Sequence, residues 1–197
     1  MEQLFVLLNA IARMSPELEA HLRRILQCKK FAKGEFIVRE GQVSNFIYFI
    51  QSGLVRIYNY NLQSNAEVTS WFLREGNVFM SVLSFFLQQA SYENVVALED
   101  CICWGISFEQ LEEILRLFPE FEKHHGRILR QYYCRALERQ FKLDRQSPVQ
   151  RYTVLVEEEP ELLQRVPVKL LQTYLQMSDS TFKRARRDYY SMKRGGK

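Results

Sequence analysis

The chain has 197 residues, of which 47% are hydrophobic and 25% charged, so it carries enough apolar material for an ordinary globular core. No apolar run approaches the roughly 20 residues of a membrane-spanning helix, and the acidic Glu2 stands where a signal peptide is basic. We therefore expect a cytoplasmic protein without a membrane partner.

The net charge of +4 hides two regions of opposite sign. Residues 1–125 carry 11 basic and 15 acidic side chains, whereas residues 126–197 carry 16 basic and 8 acidic ones. An acidic body with a basic end indicates a polyanionic partner for the C-terminal third. A basic, solvated surface without such a partner gives the same pattern.

Apolar residues have a helical spacing from the start of the chain to about residue 30. Apolar residues from Phe5 to Ala12 repeat at intervals of three and four, and Ser15-Pro16 is typical of a helix start. We predict two helices here, the second one ending near Cys28.

From Phe31 to Ile106 the hydrophobic period is two, and turn residues separate aromatic or β-branched runs. The predicted strands are Phe36–Arg39, Phe46–Gln51, Leu54–Tyr60, Val68–Leu73, Asn94–Leu98 and Ile102–Ile106. Many short strands without helices between them predict an antiparallel sandwich or barrel. Within this region, Val78–Leu87 has the pattern of a short helix.

Helical patterns return after Ser107. Phe108–Leu117 is a short amphipathic helix stopped by Pro119, and a longer helix follows from about Glu120 to Leu143. Two apolar stripes run along this longer helix. They are Leu129, Tyr133, Ala136, Gln140 and Leu143, and beside them Phe121, His125, Ile128 and Tyr132.

One stripe can dock on the barrel, and the second one then needs another partner. We predict that this partner is the same helix of a second subunit. The candidate dimer-helix residues are Ile128, Leu129, Tyr132, Tyr133 and Ala136. A helix buried on two sides within a monomer is the alternative.

Three further helices are predicted near the C-terminus. Ser147-Pro148 begins the first, which extends through Val156 and ends before Pro160. The other two are Pro167–Leu175 and Ser178–Met192, with only Gln176-Met177 between them. The side chains expected in their core are Val168, Leu171, Leu175, Phe182 and Ala185.

The last of these helices has the composition of a DNA-reading helix. Short polar side chains and arginines in its first turns suit a helix that enters the major groove. The candidate DNA-binding residues are Ser178, Ser180, Thr181, Lys183, Arg184 and Arg187. We expect Arg184 to contact guanine, and Ser178, Thr181 and Lys183 to contact phosphates or base edges, with Ser178 also capping the helix. A basic amphipathic surface helix is the alternative.

The order of these parts resembles the Crp/Fnr family of transcription regulators. Lys33–Tyr58 resembles the family's first hairpins, and the Glu75-Gly76 turn and Leu98–Asp100 continue the match. Glu138-Arg139 and Arg151-Tyr152 resemble the end of the dimer helix and the start of the DNA-binding domain. The resemblance covers nearly the whole chain.

This resemblance implies an α+β chain with three parts. Residues 1–118 would form an antiparallel double-stranded β-helix, or jelly roll, of the cyclic-nucleotide-binding type. Residues 119–145 would form the dimerisation helix, and residues 146–197 an all-α helix-turn-helix domain. The implied partners are double-stranded DNA, a second copy of the chain and RNA polymerase.

The chain departs from the family pattern around the last helix. Gln176 stands where the corner often has glycine, so we expect another turn conformation there. Ser180 stands where many members carry a glutamate that reads cytosine, and we expect Asp179 to repel phosphates. Because the sequence stops at Lys197, we expect a truncated or absent wing. The tail residues Lys193, Arg194 and Lys197 would then contact only the DNA backbone.

The candidate effector pocket also departs from the family. The cyclic-nucleotide receptors of the family hold the ribose with a glutamate and the phosphate with an arginine. Ser81 stands at the glutamate position, Ser91 lies near the arginine position, and no basic residue occurs from Asn77 to Leu115. A buried phosphate without a cation is unfavourable, so we expect weak or no cAMP binding. The pocket residues are Phe79, Met80, Ser81, Ser91 and Tyr92.

The remaining cysteines and histidines show no metal-ligand spacing, and we expect no metal site. They are Cys28, Cys101, Cys103, Cys134, His21, His124 and His125. We interpret the cysteines as small buried side chains in a reducing compartment. An iron–sulfur cluster is disfavoured because the N-terminal third offers only Cys28, whereas the histidines leave haem open.

The leading hypothesis is a homodimeric, sequence-specific DNA-binding regulator. The alternative is a ligand-binding or protein-interaction module whose DNA-binding domain has decayed. The expected absence of a wing, Ser180 and Asp179 favour it. No nucleophile elbow or phosphate loop occurs, so we expect no enzymatic activity. The sequence identifies neither the effector nor the operator, nor whether the outcome is activation or repression.

Overall fold

The computed structural model describes residues 1–195, which divide into two compact units. The β unit comprises residues 1–59 and 70–131, and the helical unit comprises residues 60–69 and 132–195. Each unit has its own buried apolar core.

In the described residues, eight strands form two four-stranded sheets, in the orders β1-β8-β3-β6 and β2-β7-β4-β5. The strands are β1 (Gln27–Phe31), β2 (Phe36–Val38), β3 (Phe46–Ser52), β4 (Val55–Tyr60), β5 (Glu67–Leu73), β6 (Val78–Phe79), β7 (Asn94–Ala97) and β8 (Cys101–Ser107). Neighbours β1 and β8, β3 and β8, and β4 and β7 are antiparallel. All six predicted strands are present, with their ends shifted by one residue or less.

Two strands of the β unit were not predicted. β1 begins at Gln27, so the expectation that the second helix runs to about Cys28 is wrong. Its residues alternate between half-buried and exposed, and they pair with β8 at the edge of a sheet, which ends the helix early. The Val78–Leu87 segment is helical only in part, because Val78 and Phe79 pair with β3 as strand β6.

The helices of the β unit bury one side each. They are α1 (Glu2–Ile11), α2 (Pro16–Ile25), α3 (Val82–Leu87) and α4 (Phe108–Leu117), and α5 (Glu122–Arg145) begins in this unit. Ser15 caps α2 by accepting a hydrogen bond from the Leu18 amide at 3.2 Å. Leu18, Phe85 and Ile114 from three of these helices are fully buried in the core.

The helical unit continues with α6 (Pro148–Glu158), α7 (Pro160–Arg165), α8 (Val168–Leu175) and α9 (Asp179–Gly195). The predicted start at Ser147-Pro148 is confirmed, because Ser147 and Gln150 form a reciprocal capping box. The helix α7 was missed. Pro160 ends α6 as expected but also occupies the first turn of a new helix, where proline needs no amide hydrogen.

Two of the four cysteines contradict the interpretation of all four as buried side chains. Cys101 and Cys103 are buried, but Cys28 lies exposed on the edge strand β1 and Cys134 lies exposed on α5. Across residues 1–195, no helix combines the length and the apolar character that crossing a membrane requires.

Candidate nucleic-acid interface and effector pocket

The turn between α8 and α9 is built without glycine. Gln176 adopts the left-handed conformation at φ 52° and ψ 54°, and the Met177 amide donates to the Gln172 carbonyl at 2.9 Å. The expectation that the absence of glycine forces another conformation is therefore wrong. Gln176 takes the conformation that glycine favours after a helix, at some cost in strain.

Ser178 begins α9 as predicted. Its hydroxyl accepts a hydrogen bond from the Thr181 amide at 3.2 Å, and its carbonyl accepts from the Phe182 amide at 2.9 Å. The same hydroxyl lies 2.9 Å from Thr181 Oγ1 and 3.1 Å from Ser180 Oγ. These three hydroxyls form one small cluster at the N-terminus of α9, in which Ser178 and Ser180 are exposed and Thr181 is half-buried.

The helix α9 has an apolar face and a basic face. Phe182 and Ala185 are buried, as the sequence predicts, and Tyr189 is buried with them. The Tyr152 ring of α6 packs edge-on against Phe182, with ring centroids 5.4 Å apart. The side chains that remain exposed on α9 include Lys183, Arg184, Arg186 and Arg187. The packing thus directs the cations outward.

The acidic Asp179 is engaged by its neighbours. Its carboxylate forms an ion pair with Lys183 Nζ at 2.7 Å and accepts a hydrogen bond from Gln172 Nε2 at 3.0 Å. The Lys183 hydrogen bond holds the pKa of Asp179 below its ordinary value. Arg184, in contrast, has no ion-pair partner among the described residues, so its guanidinium is available to a ligand.

One predicted core residue of α8 lies outside the core. Val168 is 50% exposed, whereas Leu171, Tyr174 and Leu175 are buried. The buried residues of α8 lie between Leu171 and Leu175, and Val168 is the first residue of the helix. The prediction for Val168 is therefore wrong, and Tyr174 takes the core position that the sequence reasoning missed.

Two arginines hold the C-terminal end of α8. Arg139 of α5 donates to the Tyr174 carbonyl at 2.7 Å and to the Thr69 carbonyl at 3.0 Å, and its guanidinium stacks on the Tyr174 ring. Arg151 of α6 donates to the Leu175 carbonyl at 2.7 Å. The bonds to Tyr174 and Leu175 satisfy carbonyls that the end of a helix leaves unpaired. They fix the turn that precedes α9, a role that the sequence alone did not reveal.

The tail residues that were predicted to contact the DNA backbone have different surroundings in the structure. Lys193 forms an ion pair with Glu157 at 2.9 Å, and Arg194 is exposed. Lys197 lies outside the described residues.

The candidate dimer-helix residues divide between the two sides of α5. Ile128 packs against the core of the β unit, and Leu129 is half-buried. Tyr132 and Ala136 are half-buried as well. Tyr133 is 64% exposed.

The exposed side of α5 carries an aromatic residue that the sequence analysis missed. Phe141 is 55% exposed and lies eight residues after Tyr133, with the half-buried Leu137 midway between them. A spacing of four residues places all three on one side of the helix. The four-residue spacing from Tyr133 through Leu137 to Phe141 was the sequence signal that would have identified Phe141.

Four of the five predicted effector-pocket residues are buried together in the β unit. They are Phe79, Met80, Ser81 and Ser91. Tyr92 is 67% exposed and does not belong to the buried group, because the chain turns outward between Ser91 and Glu93.

The polar groups of this pocket bind one another. The Ser81 and Ser91 hydroxyls lie 2.9 Å apart, and Ser81 also donates to Glu93 Oε2 at 3.3 Å. Ser91 donates to the Glu93 carbonyl at 2.8 Å and accepts from its amide at 3.0 Å. Burial raises the pKa of the Glu93 carboxyl. The pocket therefore presents hydroxyls and an acidic group, and an anion would meet no side-chain cation from them.

Comparison with known proteins identifies the fold. Residues 28–117 match the cyclic nucleotide-binding domain family. None of the curated proteins matches the chain. Among solved structures, the c-di-GMP responsive global regulator CLP of Xanthomonas campestris has 16% identity and a TM-score of 0.70, over 90% of this chain and 92% of that chain.

Two further solved structures are similar to this chain over most of its length. FixK2 of Bradyrhizobium japonicum has 17% identity and a TM-score of 0.69, over 85% of this chain and 86% of that chain. A Eubacterium rectale protein assigned to the Crp/Fnr regulators has 13% identity and a TM-score of 0.70, over 91% and 85%. The chain thus has a cyclic-nucleotide-binding-like fold followed by helices, which it shares with Crp/Fnr-type regulators.

Proposed function

We propose that the chain is a homodimeric, sequence-specific DNA-binding transcription regulator of the Crp/Fnr type. The observation that carries the proposal is the arrangement of α9. Its apolar face is buried against α6, its basic face is exposed, and its N-terminus follows α8 by a short turn that Arg139 and Arg151 brace. In this interpretation α8 and α9 are a helix-turn-helix, and α9 enters the major groove.

Three exposed side chains form the base-reading side of α9 in this proposal. Ser180, Arg184 and Arg187 follow one another at intervals of four and three, so they lie on one side of the helix. Arg184 is the candidate for bidentate contacts to guanine. The ion pair with Lys183 reduces, without removing, the repulsion that Asp179 exerts on phosphates.

The exposed side of α5 supports the dimer. Tyr133, Leu137 and Phe141 form an apolar stripe, and the same stripe of a second copy is its proposed partner. A two-fold dimer would place two α9 helices about 34 Å apart, one turn of DNA. We include RNA polymerase as a further partner, and the cytoplasm as the location.

The β unit is the proposed sensor, and cAMP is not its proposed effector. Ser81, Ser91 and Glu93 supply no cation to a cyclic phosphate, and a buried anion without one is unfavourable. An effector would act by binding one arrangement of the dimer more tightly than another.

The second candidate function is a ligand-binding or protein-interaction module with a decayed DNA-binding domain. The carboxylate of Asp179 at the start of α9 favours it, because this end of a recognition helix approaches phosphates. Such a protein would hold DNA weakly, without sequence preference, and lose it as salt rises.

Selection of genomic DNA fragments with the purified full chain, at about 150 mM salt, distinguishes the two functions. A regulator enriches a pseudo-palindrome with half-sites about ten base pairs apart. Retention of fragments without any shared motif would instead favour the second candidate.

A further inference from the structure

The helix α5 carries a regular seam on its exposed side, and the seam changes from basic to apolar along the chain. Its residues follow one another at alternating intervals of three and four, which is the spacing of the core positions in a two-stranded coiled coil. They are Arg127, Arg130, Cys134, Leu137 and Phe141. Core positions of a coiled coil are ordinarily apolar. Here the first two are arginines.

These two arginines have no counter-charge on the chain. Both Arg127 and Arg130 are exposed, whereas Ile128 between them packs against the core of the β unit. Neither arginine forms an ion pair within residues 1–195. The nearest acidic residues of α5 are Glu122 and Glu138, and both lie outside the three- or four-residue spacing at which helix side chains meet. The two guanidinium groups are therefore available to a partner.

The proposed dimer would bring these cations together. Its two α5 helices run in the same direction, because both α9 helices have to reach one DNA duplex. A parallel pair in register places each seam residue level with its own copy. Arg127 and Arg130 of one subunit then face the same two residues of the other subunit. Four like charges that face one another destabilise an interface unless an anion lies between them.

The chemistry of the guanidinium group defines that anion. Arginine binds a phosphate group through two parallel N–H···O hydrogen bonds, a geometry that lysine lacks. A molecule with two or more phosphate groups can accept hydrogen bonds from both subunits at once. A single phosphate group leaves more of the positive charge without a partner.

We propose that Arg127 and Arg130 of both subunits form a binding site for a small molecule that carries two or more phosphate groups. The site rests on the dimer of the proposed function, because each subunit supplies only half of it. It is separate from the pocket around Ser81, whose side chains offer no cation. Because the ligand binds the dimer more tightly than the monomer, it stabilises the dimer.

Isothermal titration of the full chain without DNA tests the site, with tripolyphosphate and inorganic phosphate as the probes. At about 150 mM salt, the wild-type chain should bind tripolyphosphate at least about tenfold more tightly than phosphate, because only the longer anion reaches both subunits. One tripolyphosphate should bind per dimer. Absence of saturable tripolyphosphate binding overturns the inference.

Two double variants separate this site from unspecific attraction of anions. Arg127→Gln with Arg130→Gln should lose the preference for tripolyphosphate. The control, Arg13→Gln with Arg116→Gln, removes the same charge at two exposed positions outside α5 and should keep the preference. Equal losses in the two double variants would mean that the anion responds only to net charge. No loss in either would mean that another surface binds it. Each of these results overturns the inference.

The oligomeric state distinguishes failure of this site from failure of the proposed dimer. Tripolyphosphate should lower the dimer dissociation constant in sedimentation. Tyr133→Ser with Phe141→Ser weakens the dimer without a change of charge, and should lose the preference for tripolyphosphate. If this variant is monomeric and keeps the preference, the inference is wrong. A wild-type dimer that does not bind tripolyphosphate overturns the inference alone, whereas a wild-type monomer contradicts the proposed dimer as well.

Discussion

The pocket around Ser81 and the exposed face of α9 differ in charge. At the first, two hydroxyls and the Glu93 carboxyl bind one another. At the second, a packed aromatic face turns arginines toward the solvent. The comparison teaches that the side chains placed on a fold, and not the fold itself, decide whether a surface offers cations to an anion.

The largest expected effect concerns the packing that orients α9. Phe182→Ala removes a buried ring that contacts Tyr152, so it should lower the free energy of unfolding by about 3–5 kcal/mol. Urea titration followed by circular dichroism measures this. The exposed Val168→Ala should change it by about 0.5 kcal/mol or less. Equal losses of unfolding free energy in Phe182→Ala and Val168→Ala would mean that the apolar face of α9 does not hold this helix in place.

The next effect concerns the dimer. Replacing both Tyr133 and Phe141 with aspartate should weaken self-association by about 2 kcal/mol or more, because each substitution removes an aromatic ring from the proposed apolar interface. Sedimentation over a range of concentrations measures the dissociation constant. Leu62→Asp, at a fully exposed position of the helical unit, is the control and should leave it unchanged. A monomeric wild-type chain would contradict the dimer directly.

Arg184→Ala tests the basic face. We expect a loss of about 1–3 kcal/mol on the selected site and a much smaller one on unrelated DNA, because a base contact carries sequence information. Fluorescence anisotropy with both DNAs measures the losses. Arg116→Ala, an exposed arginine on α4, supplies the same change of net charge as a control. A uniform loss on both DNAs would make Arg184 a phosphate contact.

Glu93→Gln tests the acidic pocket through pH. Burial raises the pKa of Glu93 in the folded protein above the ordinary value of 4.5, so the folded state binds the proton more tightly than the unfolded chain. The resulting stability is present below the unfolded pKa and is lost as pH rises through the folded pKa. At pH 7 the variant should therefore melt at a higher temperature than wild type, and the gain should vanish near pH 4.

The exposed Glu112→Gln is the control for this pH series, and it should show no such dependence. A gain for Glu93→Gln that is constant from pH 4 to pH 8 would show that burial does not raise the pKa of the Glu93 carboxyl.

The smallest effect concerns the turn before α9. Gln176→Gly relieves a left-handed residue that carries a side chain, and should stabilise the chain by about 0.5–1 kcal/mol. Thermal unfolding monitors the gain. Gln88→Gly relieves the same conformation after α3 but also removes the hydrogen bond that Gln88 Nε2 donates to the Phe85 carbonyl at 2.6 Å, so its gain should be smaller. Destabilisation by both substitutions would show that the side chains contribute more than the strain costs.

Periodicity and capping signals were sufficient for most of the fold. The strand pattern before Ile106, the Ser147-Pro148 start and the burial of Phe182 all follow from local rules. The strand β1 was missed because its pairing with β8 joins residues about 75 positions apart, which no local pattern reveals. Likewise, the left-handed turn at Gln176 was missed because glutamine does not favour this conformation, and the arginines that brace the end of α8 are distant in the sequence.

The sites were less predictable than the fold. The exposure of Lys183 and Arg184 follows from helical spacing, but the ion pair of Asp179 and the bracing by Arg139 depend on contacts between elements. The exposure of Tyr92 depends on how the chain leaves the pocket after Ser91, which its sequence does not encode locally.

The ratio of dissociation constants for a selected site and its scrambled sequence, at about 150 mM salt, tests the central claim most directly. A regulator that reads bases through α9 should show a ratio of at least about 1,000. A ratio near 1, with affinity that falls steeply as salt rises, would contradict sequence-specific DNA binding and leave α9 as a basic surface.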